Sequence, residues 1–231
     1  GGLGVVNIDS EAALNHIKAN GIKVKTYAID SCEADYRATE IVYSSQRTTF
    51  SVGDANYATH LLGRGNILNI TAALAVAEQM GVSTEARRRG VKQIEQVEHR
   101  LSMRTSGGIT ILDDAYNSNP TGARMALEVL GGFETEGARY VVTPGFVEMG
   151  AKQYDNNRAF GQDIATSKAD GVIVVNEVNR EAITSGLEAA GYDMARVATV
   201  ASFKEAMAEL QPRLKAGDVV LYENDLPDSF K

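Results

Sequence analysis

The sequence predicts an α/β protein: a doubly wound, mostly parallel, Rossmann-like domain at the C-terminal end, preceded by the end of a second α/β unit with a small antiparallel hairpin. Three observations carry this. From residue 101 onward, short runs rich in Val and Ile recur at ITILDD (109–114), RYVVTP (139–144), GVIVVN (171–176), RVATVA (196–201) and DVVLYE (218–223). The segments between them repeat apolar residues at helical spacing, the rhythm of parallel strands joined by crossover helices. Before residue 100 the alternation has a period of two around a polar turn, which is a hairpin signal.

Taken in chain order, SEAALNHIKANG (10–21) reads as a capped helix closed by Gly21, and VKTYAID (24–30) as a strand. YRATEIVYSSQRTTFSV (36–52) reads as the hairpin, with NYATHLL (56–62) as a third strand. GRGNILNITAALAVAEQMG (63–81) and STEARRRGVKQIEQV (83–97) read as two helices. In the second half, TGARMALEVLGG (121–132) is a helix ending on glycines, and ASFKEAMAELQPRLKAG (201–217) a helix with a Ser cap and a closing Gly217. The change of pattern places a domain boundary between residues 99 and 100, giving domains 1–99 and 100–231.

A chain of 231 residues with 44% hydrophobic residues can bury a proper core. No run reaches the ~18 apolar residues of a membrane span, and GGLGVVNIDS lacks a basic region and an apolar signal core, so the cytoplasm is the default compartment. The single cysteine, Cys32, reads as a reduced structural thiol, and no Cys or His stands at metal-ligand spacing. A net charge of −7 argues against nucleic acid as a partner, because phosphate binding needs basic surface. Arg87, Arg88 and Arg89 form the one basic cluster and read as a solvated helical face. No GxxxxGK[ST] phosphate loop and no GxGxxG after a strand is present. With the late start of the first unit, this makes the chain the expected C-terminal portion of a longer protein.

Four segments could carry chemistry. In GRGNILN, Asn66 and Asn69 stand three apart on one helical face at its N-terminal end, and their amides suit the edge of a purine. The plainer reading makes Asn66 a cap and Asn69 a surface residue. In DDAYNSNP (113–120) a strand delivers Asp113 and Asp114 to its carboxyl end beside Tyr116, where a carboxylate can hold ribose hydroxyls or a metal-bound water. Asn117 and Asn119 can bond phosphate or carboxylate groups, or Asn119 can simply cap the helix that Pro120 starts. In EHRLSMR (98–104), Arg100 at the domain junction can clamp a phosphate or serve as an ordinary ion-pair partner. In TPGFVEMG (143–150), Glu148 can take an ammonium group or merely occupy the first turn of the next helix. His16, His60 and His99 are scattered and are given no role.

In this order, GRGNILNITAALA, EHRLSMR, ILDDAYNSNPTGARMALEVL and TPGFVEMG resemble the Mur ligases of peptidoglycan synthesis, above all the type that adds D-alanyl-D-alanine. The resemblance covers nearly the whole chain. It implies an ATP-dependent amide ligase in which residues 1–99 end the central, ATP-binding domain and residues 100–231 form the C-terminal domain. Asn66 and Asn69 would lie near the adenine, Arg100 would reach the phosphates, Asp114 would sit at the ribose, and Asn117 would join this nucleotide set. Tyr116, Asn119 and Glu148 would line the acceptor side. The resemblance further implies ATP and Mg²⁺, small-molecule substrates (a UDP-muramyl peptide and D-alanyl-D-alanine or a similar amine), and a monomer. The phosphate loop, magnesium ligands and modified lysine of the family are expected upstream of Gly1, which leaves no catalytic residue and no metal ligand to name here. Another Mur-like or folylpolyglutamate-type ligase, and a non-catalytic nucleotide- or substrate-binding module lacking the ATPase half, are the other readings. Three places depart from the family's patterns: Gly65 for a histidine, Gly145 for an aspartate, and Tyr222 to Asp225 for a KGS-like strand end.

Overall fold

A computed structural model describes residues 2–13, 15, 24–116 and 118–225. They divide into two compact units between Glu95 and Gln96.

The first unit is built on a five-stranded sheet in the order β1-β2-β3-β4-β5. Its strands are β1 (Gly4–Asn7), β2 (Val24–Ala28), β3 (Tyr36–Tyr43), β4 (Thr48–Val52) and β5 (Ala55–Thr59). β1, β2 and β3 run parallel, and β3, β4 and β5 are antiparallel, which is the expected hairpin with its third strand. β1 is an addition to the expected elements: four residues between glycines and a polar turn give too little periodicity to mark it. Of the helix expected over 10–21, residues 14 and 16–21 lie outside the described residues. The Asp9 carboxylate closes the end of β2. Burial pushes its pKa up, but bonds from the Ile29, Ser31 and Asp30 N–H groups outweigh that and hold it below its ordinary value.

Helix α1 (Arg64–Gln79) packs Ile67, Ile70, Leu74 and Ala75 against Phe50, Tyr57 and Ala38 of that sheet. Helix α2 (Thr84–Lys92) starts on Ser83, whose side chain accepts from the Ala86 N–H. It stops at Lys92 instead of running on to Val97. Gly90 weakens its last turn by ~1 kcal/mol, and the Gln96 side chain pairs both backbone groups of Met103, which draws this segment away from the helix. The arginine cluster is also less solvated than expected. Arg87 has 9% of its side chain exposed and binds Glu78 and Thr84, while Arg88 donates to the Asn56 carbonyl. Arg88 and Arg89 keep to the open face, both paired loosely with Glu85. Cys32 is exposed, so its thiol fills no place in the core.

The second unit is a six-stranded sheet in the order β10-β9-β8-β11-β7-β6. β6 (Ser102–Ser106) is an antiparallel edge strand that turns through Gly107 and Gly108 into β7 (Ile109–Asp114). β8 (Arg139–Thr143), β9 (Gly171–Val175), β10 (Val197–Val200) and β11 (Val219–Glu223) are parallel to β7, as expected for a mostly parallel sheet. β7, β8, β9 and β10 step in one direction across the sheet, so right-handed crossovers put α3 (Pro120–Gly132), α4 (Gln153–Thr166) and α5 (Arg180–Ala189) on one face. The return to β11 reverses the step, and α6 (Phe203–Leu210) packs Ala206 and Leu210 on the other face against Val142, Ile173 and Val220. α6 ends at Leu210, short of the expected Gly217: Gln211 still has helical dihedrals and bonds the Met207 carbonyl, but Pro212 after it offers no N–H to carry the ladder on.

Candidate functional site

The chain reversal that puts α6 alone on its face makes β11 the central strand, flanked by β8 and β7. The carboxyl ends of these three strands are where an open α/β sheet receives ligands, and three polar turns meet there.

At the end of β7, Glu223 and Asp114 stand in register on neighbouring parallel strands, and each carboxyl acts on the charge of the other. Glu223 is fully buried and its Oε1 accepts from Ser118 Oγ. Burial pushes Glu223 up, ionised Asp114 pushes it further, and together they carry its pKa to about 8. Burial also raises Asp114; the Leu101 N–H, donating to Oδ1 at 2.9 Å, and the Arg100 charge pull the other way. The chain that enters the unit wraps over this turn. Tyr116 N–H donates to the His99 carbonyl at 3.1 Å, His99 Nδ1 lies 3.0 Å from Asp113 Oδ2, and the Arg100 guanidinium sits 4.4 Å from the Tyr116 ring centroid. His99 and Leu101 both take positive φ, 58° and 49°, to make the wrap.

At the end of β8, the turn from Pro144 to Gly150 is held by two buried amides. Asn157 accepts from the Phe146 N–H at 2.8 Å and donates to the Phe146 and Gln153 carbonyls, while Asn179 donates to the carbonyls of Pro144 and Phe146. Gly145 has φ +75°, and a Cβ there would collide with Asn157 Oδ1 and press on Ile183. The aspartate of the family pattern has no room at this position. At the end of β11, Asn224 joins the two turns: its N–H donates to the Asp114 carbonyl and its Nδ2 to the Gly145 carbonyl.

The expected site residues divide between the units. In the first, Asn66 donates Nδ2 to the Leu62 carbonyl at 2.7 Å, tying down the chain ahead of α1, whose N-cap is Gly63 at φ 84°. Asn69 is exposed one turn on. In the second, Arg100, Asp114 and Tyr116 come together as described. Asn119 is the N-cap of α3, its side chain accepting from the Thr121 and Gly122 N–H groups. Asn117 lies outside the described residues. Glu148 is exposed at φ 63° in the turn, ahead of a short 3-10 helix, Gly150–Lys152, so it is not in the first turn of α4 as its plainer reading had it.

Sequence reasoning missed His99, Ser118 and Glu223. Nothing in ligand spacing marks a histidine that folds back on a strand end, and Glu223 stood out only as a departure from a family pattern. On the α6 face lies a cavity of about 960 Å³ whose lining includes Ile111, Val220 and Tyr222 together with His99, Asp113 and Asn224 from the strand ends. Tyr116, Asn119 and Glu148 are not among its lining residues. Among the described residues, no three His, Cys, Asp or Glu side chains gather in a way that could hold a metal ion, and no helix is long and apolar enough to cross a membrane.

Comparison with known proteins bears on this arrangement. Residues 99–222 match the family model of the Mur ligase glutamate ligase domain, and residues 1–77 that of the Mur ligase middle domain. The chain is 23% identical over 208 residues to the UDP-N-acetylmuramoyl-tripeptide–D-alanyl-D-alanine ligase of Bacillus subtilis, covering 89% of this chain and 45% of that protein. The Escherichia coli protein of the same name is 27% identical, with 91% and 47% covered. Among solved structures, MurF from Acinetobacter baumannii superposes with a TM-score of 0.77 at 22% identity, covering 97% of this chain and 49% of that one. MurF ligase from Thermotoga maritima in complex with ADP gives a TM-score of 0.76 at 21% identity, with 97% and 50% covered. The chain spans about half the length of the curated relatives it matches. With more than half of its residues matched by the glutamate ligase domain alone, the chain belongs to the Mur ligase family.

Proposed function

We propose that this chain is part of an ATP-dependent amide ligase of peptidoglycan precursor synthesis, which adds D-alanyl-D-alanine or a similar amine to a UDP-muramyl peptide. The observation that carries the reading is the β7 strand end, where Arg100 stacks on Tyr116 and its charge acts on Asp114, inside a domain of this family. Residues 1–99 are taken as the end of the central domain and residues 100–231 as the C-terminal domain.

In this reaction a substrate carboxylate oxygen attacks the γ-phosphorus of ATP, the bond to the β-phosphate oxygen breaks, and ADP leaves. The amine nitrogen then attacks the acyl carbon, loses a proton, and expels phosphate. This chain's residues orient and bind. Asp114 accepts from ribose hydroxyls and Arg100 reaches phosphate from its seat on Tyr116. Asn66 and Asn69 face adenine. Asn119 spends its side-chain oxygen on the α3 cap and can offer an acceptor only its amide hydrogens, and Glu148 can meet an ammonium. We assign Asn117 to the nucleotide on the resemblance alone. Mg²⁺ finds no fitting set of ligands among the described residues, so no step is routed through it. We place the reaction in the cytoplasm and the protein as a monomer.

The test is ADP formation by the full-length protein that contains this chain, with a UDP-muramyl tripeptide and a panel of amines. ADP release that depends on both the tripeptide and D-alanyl-D-alanine supports the reading. Relatives named UDP-N-acetylmuramate–L-alanine ligase, 26% and 29% identical, favour one second arm, UDP-N-acetylmuramate with L-alanine. Turnover only in that arm moves the acceptor, and turnover in neither sinks the ligase assignment.

A further inference from the structure

Glu223 ends the central strand of the second unit without any exposed surface. Its Oε1 accepts from Ser118, but its Oε2 is buried and has no hydrogen-bond partner among the described residues. The group that faces it is the Asp114 carboxyl, held in register by the parallel pairing of β11 with β7 and fixed on its Oδ1 by the Leu101 N–H. Two ionised carboxylates there would be two like charges set against each other, with Glu223 wholly out of reach of water. The other charges that act on the pair are Asp113, which adds to the repulsion, and Arg100, which acts on Asp114. Among the described residues, no Lys or Arg bonds Glu223. One proton between the two acids resolves both the repulsion and the orphaned oxygen.

We propose that Glu223 is a positioning residue: it keeps its proton, donates through Oε2 to the Asp114 carboxylate, and so locks that carboxylate and the Ser118 turn into one arrangement. The inference rests on the reading of Asp114 as the ribose contact. With Leu101 N–H and Glu223 O–H as its two fixed donors, Asp114 keeps a single orientation and has lone pairs left for hydroxyl donors. The turn that carries Tyr116 and the α3 cap is tied to β11 by the same carboxyl, through Ser118. Glu223 stands where the chain departs from the family's strand-end pattern, so this device is a property of this sequence. The pair carries one negative charge through neutral pH, and the arrangement fails when a second charge forms.

Infrared difference spectra of the 231-residue chain against Glu223→Gln read the proton without any ligand. The expected result is a protonated-carboxyl band at neutral pH that disappears as pH rises through about 8. A wild-type chain without that band at mildly acidic pH overturns the proposal. The Leu101 amide resonance, bonded to Asp114, should titrate with the same midpoint and lose it in Glu223→Gln; an unchanged midpoint in the variant overturns the positioning role. If Glu223→Gln does not fold, Ser118→Ala decides, because removing a bond to the ionised form should move the midpoint up, and a downward shift contradicts the geometry. ADP titration separates this from the functional reading. Wild-type affinity should fall roughly tenfold over about one pH unit above the midpoint. Affinity that ignores the midpoint while the band titrates overturns the link from Glu223 to the nucleotide. Absence of ADP binding at every pH, with the band present, counts against the nucleotide reading and leaves the proton in place.

Discussion

The turns at the ends of β7 and β8 solve one problem with different chemistry. Each must hold an irregular backbone beside a strand end and keep its carbonyl and N–H groups partnered. The β8 turn uses Asn157 and Asn179, whose amides give and accept without carrying charge. The β7 turn uses Asp114 and Glu223, which can only accept unless one of them holds a proton. Amides make a frame whose geometry is the same at any ordinary pH. Acids make a frame that also responds to pH and presents charge, which a purely structural turn has no use for. The contrast marks the β7 turn as the working side and the β8 turn as its fixed neighbour, with Asn224 bonded to both.

The largest effects should come from the fixed side. Asn157→Leu removes the donor and acceptor that Phe146 uses and leaves several buried groups unpaired, at 1–3 kcal/mol each, so a loss of roughly 4 kcal/mol is expected in urea unfolding. Gly145→Ala should cost nearly as much, since the backbone sits at φ +75° and the added carbon meets Asn157. A loss under about 1 kcal/mol for both would mean that the β8 turn is looser than its bonds imply.

Next in size is the pH dependence of the working side. The folded-state pKa of Glu223 is raised, so the stability it contributes is fully present below the ordinary carboxylate range and is lost as pH rises toward about 8. The expected loss across that window is on the order of 2–4 kcal/mol. Stability of Asn157 variants should keep this slope, and Glu223→Gln should flatten it. Melting temperatures taken across the window decide; equal slopes in wild type and Glu223→Gln would assign the pH response to other groups.

How much of this was legible beforehand follows from the kind of signal each part leaves. The five parallel strands of the second unit are continuous apolar runs because both sheet faces are covered, and continuous runs are plain in a sequence. β6, SMRTS, is an exposed edge strand with no such run, and only its pairing to β7 makes it a strand. The helix ends at Lys92 and Leu210 were set by a tertiary bond and by a proline that the apolar repeat overran. In the site, DDAYNSNP was conspicuous because its polar residues are adjacent. Glu223 was not, because its partner is 105 residues away and a glutamate after VVLY looks like the solvent end of a strand. Adjacency along the chain is readable; adjacency across a sheet needs the strand order, which reverses here between β10 and β11.

The cap and the surface contact test the working side at finer scale. Asn119→Ala removes the acceptor for two N–H groups at the start of α3 and should cost about 1 kcal/mol, with Asn119→Asp recovering most of it. If Asn119 also meets an acceptor through its amide hydrogens, Asn119→Asp should restore stability without restoring turnover in the full-length protein. Stability and turnover rescued together would reduce its role to the cap.

The smallest expected effect belongs to Arg100 and Tyr116. Their contact, 4.4 Å from guanidinium to ring centroid, lies at the surface, with Tyr116 65% exposed. An exposed cation–π pair is worth about 0.5–1 kcal/mol, so a double-mutant cycle of Arg100→Ala and Tyr116→Ala should give a coupling near the low end of that range. Its use is geometric, because a ring that holds the guanidinium in place spares the entropy of ordering it when phosphate arrives. Tyr116→Ala should therefore weaken ADP binding by several-fold while barely moving the unfolding midpoint, whereas Tyr116→Phe, which keeps the ring face, should leave both near wild type. If Tyr116→Phe weakened binding as much as Tyr116→Ala, the hydroxyl and not the ring would be the functional part of that residue, and the seat assigned to Arg100 would have to be given up.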